Sequence, residues 1–318
     1  MTAYIVRRLL GSIPLLLLVS LISYALMGLS PGGPGAILGQ QAHGLTPAMR
    51  AQFIAQLGLD KPWYVQYFFW LVALVHGSLG YSFVDGRPVL EKIAERLPIT
   101  LEVLTLSLIL TLAIAIPIGV QAATKRGSWF DHLSSALAFT AYATPVFWLG
   151  IVLVDVFALH LRWLPTAGIS SIGHENDLLD RLRHLVLPVA ALTIVSFASW
   201  MRYQRGAMIE ALAAPFVRTA RAKGLAERVV VYRHALRNAL IPTVTLLGLT
   251  LPGLVGGAYF VEYVFSLPGM GLLGIDSVFS RDYPTVMGIT MLSAILVVLG
   301  NLLADVLYAF VDPRIRYE

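Results

Sequence analysis

The chain has 318 residues, 57% hydrophobic and only 13% charged, with a mean hydropathy of +0.75 and a formal net charge of +5. About a quarter of residues are charged in soluble domains, so this composition excludes an ordinary soluble domain and indicates an integral membrane protein. The basic residues sit in short segments beside apolar runs, which is a membrane-topology pattern rather than a nucleic-acid footprint, and the absence of cysteine excludes disulfides and thiolate metal sites.

Arg7 and Arg8 precede an apolar run from Leu9 to Leu29. That run exceeds the roughly 7–15 residues of a signal-peptide core and matches the roughly 20 of a membrane span. It predicts an uncleaved first helix with a cytoplasmic N-terminus. SPGGPG (Ser30 to Gly35) ends this helix. Thr46 before Pro47 predicts the N-cap of a helix that runs through Leu57 and stops at Gly58. The apolar run Tyr67 to Val75 is too short to span, so it is expected at the interface or against the bundle, with Trp63, Tyr64 and Trp70 as interfacial anchors.

Pro98 is expected to open a second span reaching about Ala123, followed by a short loop with Lys125, Arg126 and Asp131. A third span covers about Leu133 to Leu159 and contains Pro145 and Trp148; a fourth runs from about Leu185 to Met201 with Pro188 near its start. A fifth, about Ala239 to Phe260, holds Pro242, Pro252, Gly253, Gly256 and Gly257, and a sixth covers about Thr285 to Phe310 before DPRIR (Asp312 to Arg316). Six spans put both termini on one side. Fourteen Lys/Arg fall on that side against nine on the other, and the fourteen sit tight against spans, so both termini are expected in the cytoplasm. The domain reading is therefore an N-terminal transmembrane helix at 1–30, an extracytoplasmic segment at 31–97, a five-helix core at 98–311 that includes a cytoplasmic loop at 202–238, and a cytoplasmic tail at 312–318.

The most informative stretch is Arg202 to Pro242, an island with eight Lys/Arg against two acidic residues. Its middle reads PFVRTARAKG, Pro215 to Gly224. Proline suits a first helical position and glycine a left-handed helix exit, so the spacing predicts a short helix with a basic rim. Such a helix is a docking surface rather than a catalytic site. An orientation signal needs basic residues too, but it needs neither the proline–helix–glycine architecture nor the second amphipathic run from Arg228 to Pro242.

Reaction chemistry is sparse. No Gly-Lys dipeptide occurs, so the chain lacks a phosphate-cradling loop of the GxxxxGK[ST] kind, and energy must come from another chain or an ion gradient. There is no HExxH, since His174-Glu175 lacks the second histidine, and no GxSG; the seven histidines include no i, i+3 or i+4 pair, so neither an enzyme nor a helical metal site is expected. Acids predicted within spans are Glu102, Asp155 and Asp305. Intramembrane charge is a functional hypothesis by default, but these three lie near span ends and fit structural, snorkelling or interhelical roles. An ion-coupled secondary transporter, the alternative from a different class, places such groups near the midplane of two matching halves, and no internal repeat is seen.

RTARAKGL (Arg218 to Leu225) followed by RHALRNALIP (Arg233 to Pro242) resembles the cytoplasmic loop of inner-membrane permeases in binding-protein-dependent ABC importers, specifically the dipeptide/oligopeptide/nickel group. LGLDKPWYVQYFFW, GSLGYSF and VFSLPGMG…RDYP resemble other segments of the same family. The chain departs from it at Gly33, where the family usually shows Asp. It also departs at Arg218 and Thr219, where the wider family carries the Glu and first Ala of a Glu-Ala-Ala-x3-Gly signature; Ala220 matches the second Ala. Contacts of that Glu therefore do not carry over to Arg218.

The resemblance implies an all-α integral membrane protein with six transmembrane helices, the type I ABC importer permease fold and an extracytoplasmic segment between helices 1 and 2. It implies a multi-pass subunit of a bacterial or archaeal cytoplasmic membrane. Its partners would be a second homologous permease, one or two cytoplasmic ABC ATPase subunits and an extracytoplasmic substrate-binding protein. ATP and Mg would reside on the ATPases and no cofactor on this chain. The ATPase-coupling residues would be Arg218, Thr219, Ala220, Arg221, Ala222, Lys223, Gly224 and Leu225. Small Ala220, Ala222 and Gly224 would let the helix seat closely, and Arg218, Arg221 and Lys223 would pair with acidic groups of the ATPase. Di- or oligopeptides are the implied substrates, with nickel or another small solute as the alternative.

Overall fold

Long apolar runs leave the backbone one economical solution in hydrocarbon, the helix, because every N–H and C=O must be paired internally. The computed structural model describes residues 2–29, 60–250 and 259–311, and the chain there is almost entirely helical. The expected break at Ser30 to Gly35, with its departure at Gly33, and the helix from Thr46 to Leu57 lie outside the described residues, as do Pro252 to Gly257 and the tail from Asp312.

Helix α1 (Thr2–Gly28) is followed by α2 (Trp63–Val75). A two-residue bridge between Tyr81 and Pro88 then leads into α3 (Val89–Thr124). This corrects the expected start at Pro98, which lies within α3. Glu91, Lys92, Glu95 and Arg96 in the first turns hid the true start from a hydropathy reading, and one proline removes a single ladder bond that a long helix survives.

The third expected span is broken. Helix α4 (Trp129–Ala143) begins at Ser128, whose side chain accepts the Asp131 N–H, and α5 (Val146–Leu153) follows, continuing as a π-helix over Val154–His160. The two parts meet at a bend of 100°. Thr144 is extended (φ −87°, ψ 120°) because the residue before a proline disfavours helix, and Pro145 lacks the N–H that would continue it.

Helix α6 (Leu178–Ala213) is capped by Asp177 and extends beyond the expected fourth span at both ends, so Pro188 sits well inside it and Arg202, Arg205 and Glu210 ride on the same helix as the span. The island is thus not a loop from 202. Next come α7 (Pro215–Ala222) and α8 (Glu227–Val229), which passes through a π-helix (Val230–Ala235) into α9 (Leu236–Thr250). After residues outside the description come α10 (Tyr259–Val264), α11 (Met270–Phe279) and α12 (Tyr283–Val311). Among the described residues four helices are long and apolar enough to cross a membrane, five if the bent pair is one span. Apolar α9 runs to the edge of the description, so the count accords with five to six spans.

The described residues fall into two compact units. One is drawn from Met1–Ile99 and Gly269–Leu299. In it Ser20 and Tyr67 share a 2.9 Å hydroxyl contact and Tyr24 donates to Gln66 Oε1 at 3.2 Å, tying α2 to α1. The 13-residue α2 therefore packs on another helix, with Trp63 and Tyr64 left exposed. Leu79, Val89, Ile93, Met270, Leu273 and Ile289 form this unit's core. The other unit is drawn from Thr100–Pro268 and Gly300–Arg316. Its α3, α4 and α6 meet through fully buried Ala115, Ala122, Ala138 and Ala198, where small side chains let helix backbones approach.

Candidate functional site

The island folds into a helix seated on the chain's own core. Pro215 occupies the first turn of α7, and the exit is closed by a Schellman motif: Gly224 N–H donates to Arg221 O at 2.9 Å and Leu225 N–H to Ala220 O at 3.4 Å. Gly224 has φ +74°, a conformation that costs an L side chain energy, yet a Cβ built there meets nothing within 4 Å. Within this chain, glycine is needed there for its backbone and not to avoid a clash.

Spacing of three puts Val217 and Ala220 on one face. Both are buried, in a cluster with Val120 and Ala123 of α3, Met208 and Ala211 of α6, and Val230, Val231, Ala235 and Ala239. Ala220, expected to make room for a partner, faces this internal core instead. Arg218, Thr219, Ala222, Lys223, Gly224 and Leu225 are exposed, and the Thr219 hydroxyl donates back to Pro215 O at 3.2 Å. Arg221 is exposed but engaged: its Nε and Nη2 donate to Glu227 at 3.1 and 2.6 Å, and these bonds hold the Glu227 carboxyl below its ordinary pKa. Its charge, expected to meet a partner, is matched within the chain. The outward surface is thus Arg218, Lys223 and Leu225 around small Ala222 and Gly224, flanked by exposed Phe216.

Ten residues before α7, Arg205 makes a bidentate pair with Asp131 of α4, Nε to Oδ1 at 2.6 Å and Nη2 to Oδ2 at 2.8 Å, and Asp131 also accepts Gly127 N–H at 3.0 Å. Asp131 is buried. Beside it, fully buried Gln204 accepts the Thr243 hydroxyl at 2.6 Å. Neither link was foreseen from sequence. The Ser128-x-x-Asp131 spacing is a readable helix-start signal, but the partner of Asp131 lies 74 residues away. Arg202 stands over Phe139 and Tyr142, its guanidinium 5.1 and 4.8 Å from the ring centroids.

The acids singled out in sequence are not brought together. Glu102 accepts from Arg181 of α6, Nε at 3.0 Å with a second contact from Nη2. Asp155 is exposed, 3.5 Å from His160 Nδ1. Asp305 lies on α12 with its side chain outside the described residues. A further buried acid is one sequence reading missed: Glu262, with no exposed surface, accepts the Thr100 hydroxyl at 2.7 Å.

In the first unit, Asp282 gathers the residues of GSLGYSF. Its carboxylate accepts Ser82 Oγ at 2.5 Å, Phe83 N–H at 2.9 Å and Thr285 Oγ1 at 2.6 Å, with Lys92 Nζ at 3.5 Å. Lys92 also pairs with Asp85 at 2.9 Å. Burial alone would raise the Asp85 carboxyl, but hydrogen bonds from Lys92, the Arg87 N–H and Ser82, with the Lys92 charge, outweigh it and leave it lowered.

Comparison with known proteins agrees with this geometry. The family described as binding-protein-dependent transport system inner membrane component matches residues 115–317, and the N-terminal part of such membrane components matches residues 1–105. The oligopeptide transport system permease protein AppB of Bacillus subtilis is 45% identical over 318 residues, covering all of both chains. The dipeptide transport system permease protein DppB of Escherichia coli K12 is 38% identical over 339 aligned residues, again covering all of both. Among solved structures, an inward-facing MetNI methionine ABC transporter aligns with a TM-score of 0.56 at 20% identity, over 70% of this chain and 97% of that one, a likeness of fold. The chain therefore belongs to the inner-membrane permeases of binding-protein-dependent ABC importers, and it matches oligopeptide and dipeptide permeases from end to end.

Proposed function

We propose that this chain is the peptide-translocating permease subunit of an ATP-driven importer, working with a second permease, cytoplasmic ATPase subunits and an extracytoplasmic binding protein that delivers di- or oligopeptides. The observation that carries this reading is α7: a proline-started, glycine-closed helix whose inner face belongs to the chain's own core and whose outer face is basic and small. Such a helix is anchored firmly enough to pass on a push and open enough to receive one. Arg218 and Lys223 are the cations available to acidic groups of an ATPase. Full-length identity to oligopeptide and dipeptide permeases supports the substrate class.

Transport then follows alternating access. Nucleotide on the ATPases and peptide on the binding protein differentially favour inward- and outward-facing arrangements, and the difference in affinity sets how far the equilibrium moves. ATP and Mg sit on the ATPases, and this chain catalyses no reaction. On this reading both termini and α7 are cytoplasmic, and Ser82 with Asp282 lies on the opposite side.

A mild-detergent pull-down of tagged protein expressed with its neighbouring genes, with mass spectrometry and peptide uptake, tests the assignment. Recovery of a second permease and Walker-motif ATPases, with ATP-dependent peptide uptake, is expected. A lone chain or homodimer whose uptake collapses with a protonophore would overturn it in favour of an ion-coupled carrier.

A further inference from the structure

Helix α6 is fastened to three other helices at one level. On α3, a Cβ added to Gly119 would lie 2.9 Å from Met201 O and 3.2 Å from Arg205 N, so backbone sits against backbone. On α4, buried Asp131 takes both Arg205 bonds. On α9, Thr243 donates to Gln204. From this level α6 runs unbroken to Ala213, and α7 begins at Pro215, about 15 Å further along at 1.5 Å per residue.

We propose that Arg205 and Asp131 are positioning residues for transport: their pair makes α4 follow α6 when α7 is displaced. The inference rests on the importer reading above. It follows from where α4 is and is not continuous. At its far end the chain turns by 100° at Thr144–Pro145, where Thr144 is extended and its N–H and hydroxyl bond back to Ala141 O and Thr140 O, so α4 and α5 are not one continuous rod. Its fastenings to α6 are the small-residue packing of Ala138, the Arg202 guanidinium over the Phe139 and Tyr142 rings, which like the packing sets no fixed direction, and the charged pair. Alanine packing permits sliding; a bidentate guanidinium–carboxylate pair with a third bond from Gly127 fixes distance and direction. Without it, displacement of α7 moves α6 and α9 while α4 lags, and ATP is hydrolysed without a completed passage.

The test uses the co-expressed transporter in proteoliposomes and reads peptides transported per ATP hydrolysed, a ratio that a mere loss of assembled protein leaves unmoved. Asp131→Asn and Arg205→Gln are expected to keep ATPase in the complex and lower the ratio about tenfold. Because the chain has no cysteine, Asp131→Cys with Arg205→Cys can be bridged by a short, reducible bis-thiosulfonate. The bridged form is expected to recover most of the wild-type ratio and to lose it on reduction. An unchanged ratio in Asp131→Asn would overturn the proposal, as would a bridged form that is inactive while its reduced form transports, because the pair would then have to open. Failure of ATP-dependent uptake in the wild type would instead overturn the importer reading itself.

Discussion

Ser82 donates a 2.5 Å hydrogen bond to Asp282, 200 positions later in the chain, and so joins GSLGYSF to RDYP, two family-like segments that sequence alone leaves unconnected. Asp282 is almost fully buried and also accepts Phe83 N–H and Thr285 Oγ1. Asp282→Ala would orphan several donors at once, each worth about 1–3 kcal/mol when left buried and unpaired. We expect a loss of about 3 kcal/mol or more and a clearly lowered thermal midpoint in detergent, with Asp282→Asn, which keeps one acceptor oxygen, falling between. A midpoint unchanged in Asp282→Ala would show that the segment 79–88 is held by other contacts.

Acid should loosen the same region. The folded Asp85 carboxyl has a lowered pKa, so its contribution is complete above the ordinary carboxylate range and is lost as pH falls through the lowered value. Asp85→Asn is therefore expected to lower thermal stability at neutral pH and to flatten its decline on acidification, read as midpoint against pH. An acid limb of the same slope as wild type would assign that decline to other carboxylates.

Gly119→Ala puts a methyl against the Met201 carbonyl, which cannot rotate away. Overpacking of this kind costs about 1–3 kcal/mol, and the effect should exceed that of Ala substitution at Gly206, on the same α6, where a Cβ meets nothing within 4 Å. Paired thermal melts of the two variants give the comparison.

At Gly224 the strain is conformational and the space outside is open. Gly224→Asn, which tolerates positive φ, should retain most uptake. Gly224→Trp should abolish uptake while membrane insertion and permease pairing survive, because only a partner's surface can meet the ring. Equal loss in both variants would locate the requirement in the turn, and full uptake by the Trp variant would remove α7 from the docking surface.

Glu227→Gln releases Arg221. The pair is exposed, so no measurable change in melting is expected. A freed cation beside Arg218 and Lys223 should strengthen the hold on an acidic ATPase surface, so the complex should survive higher salt during co-purification. Release at the wild-type salt concentration would mean that Arg221 does not face the ATPase.

Helical class, membrane character and the proline–helix–glycine element were legible in sequence because they depend on local properties: run length, period and the backbone preferences of Pro215 and Gly224. The start of α3 at Val89 was masked by four charges that a hydropathy reading assigns to a loop, and the 100° bend at Pro145 was not readable from the proline alone, since Pro188 sits inside an unbroken α6. The pairing of Asp131 with Arg205, Gln204 with Thr243, Glu262 with Thr100 and Ser82 with Asp282 was decided only by tertiary structure. Each bond joins residues 39 to 200 positions apart, and a polar side chain in a linear sequence does not declare which distant partner will meet it once the apolar faces have packed.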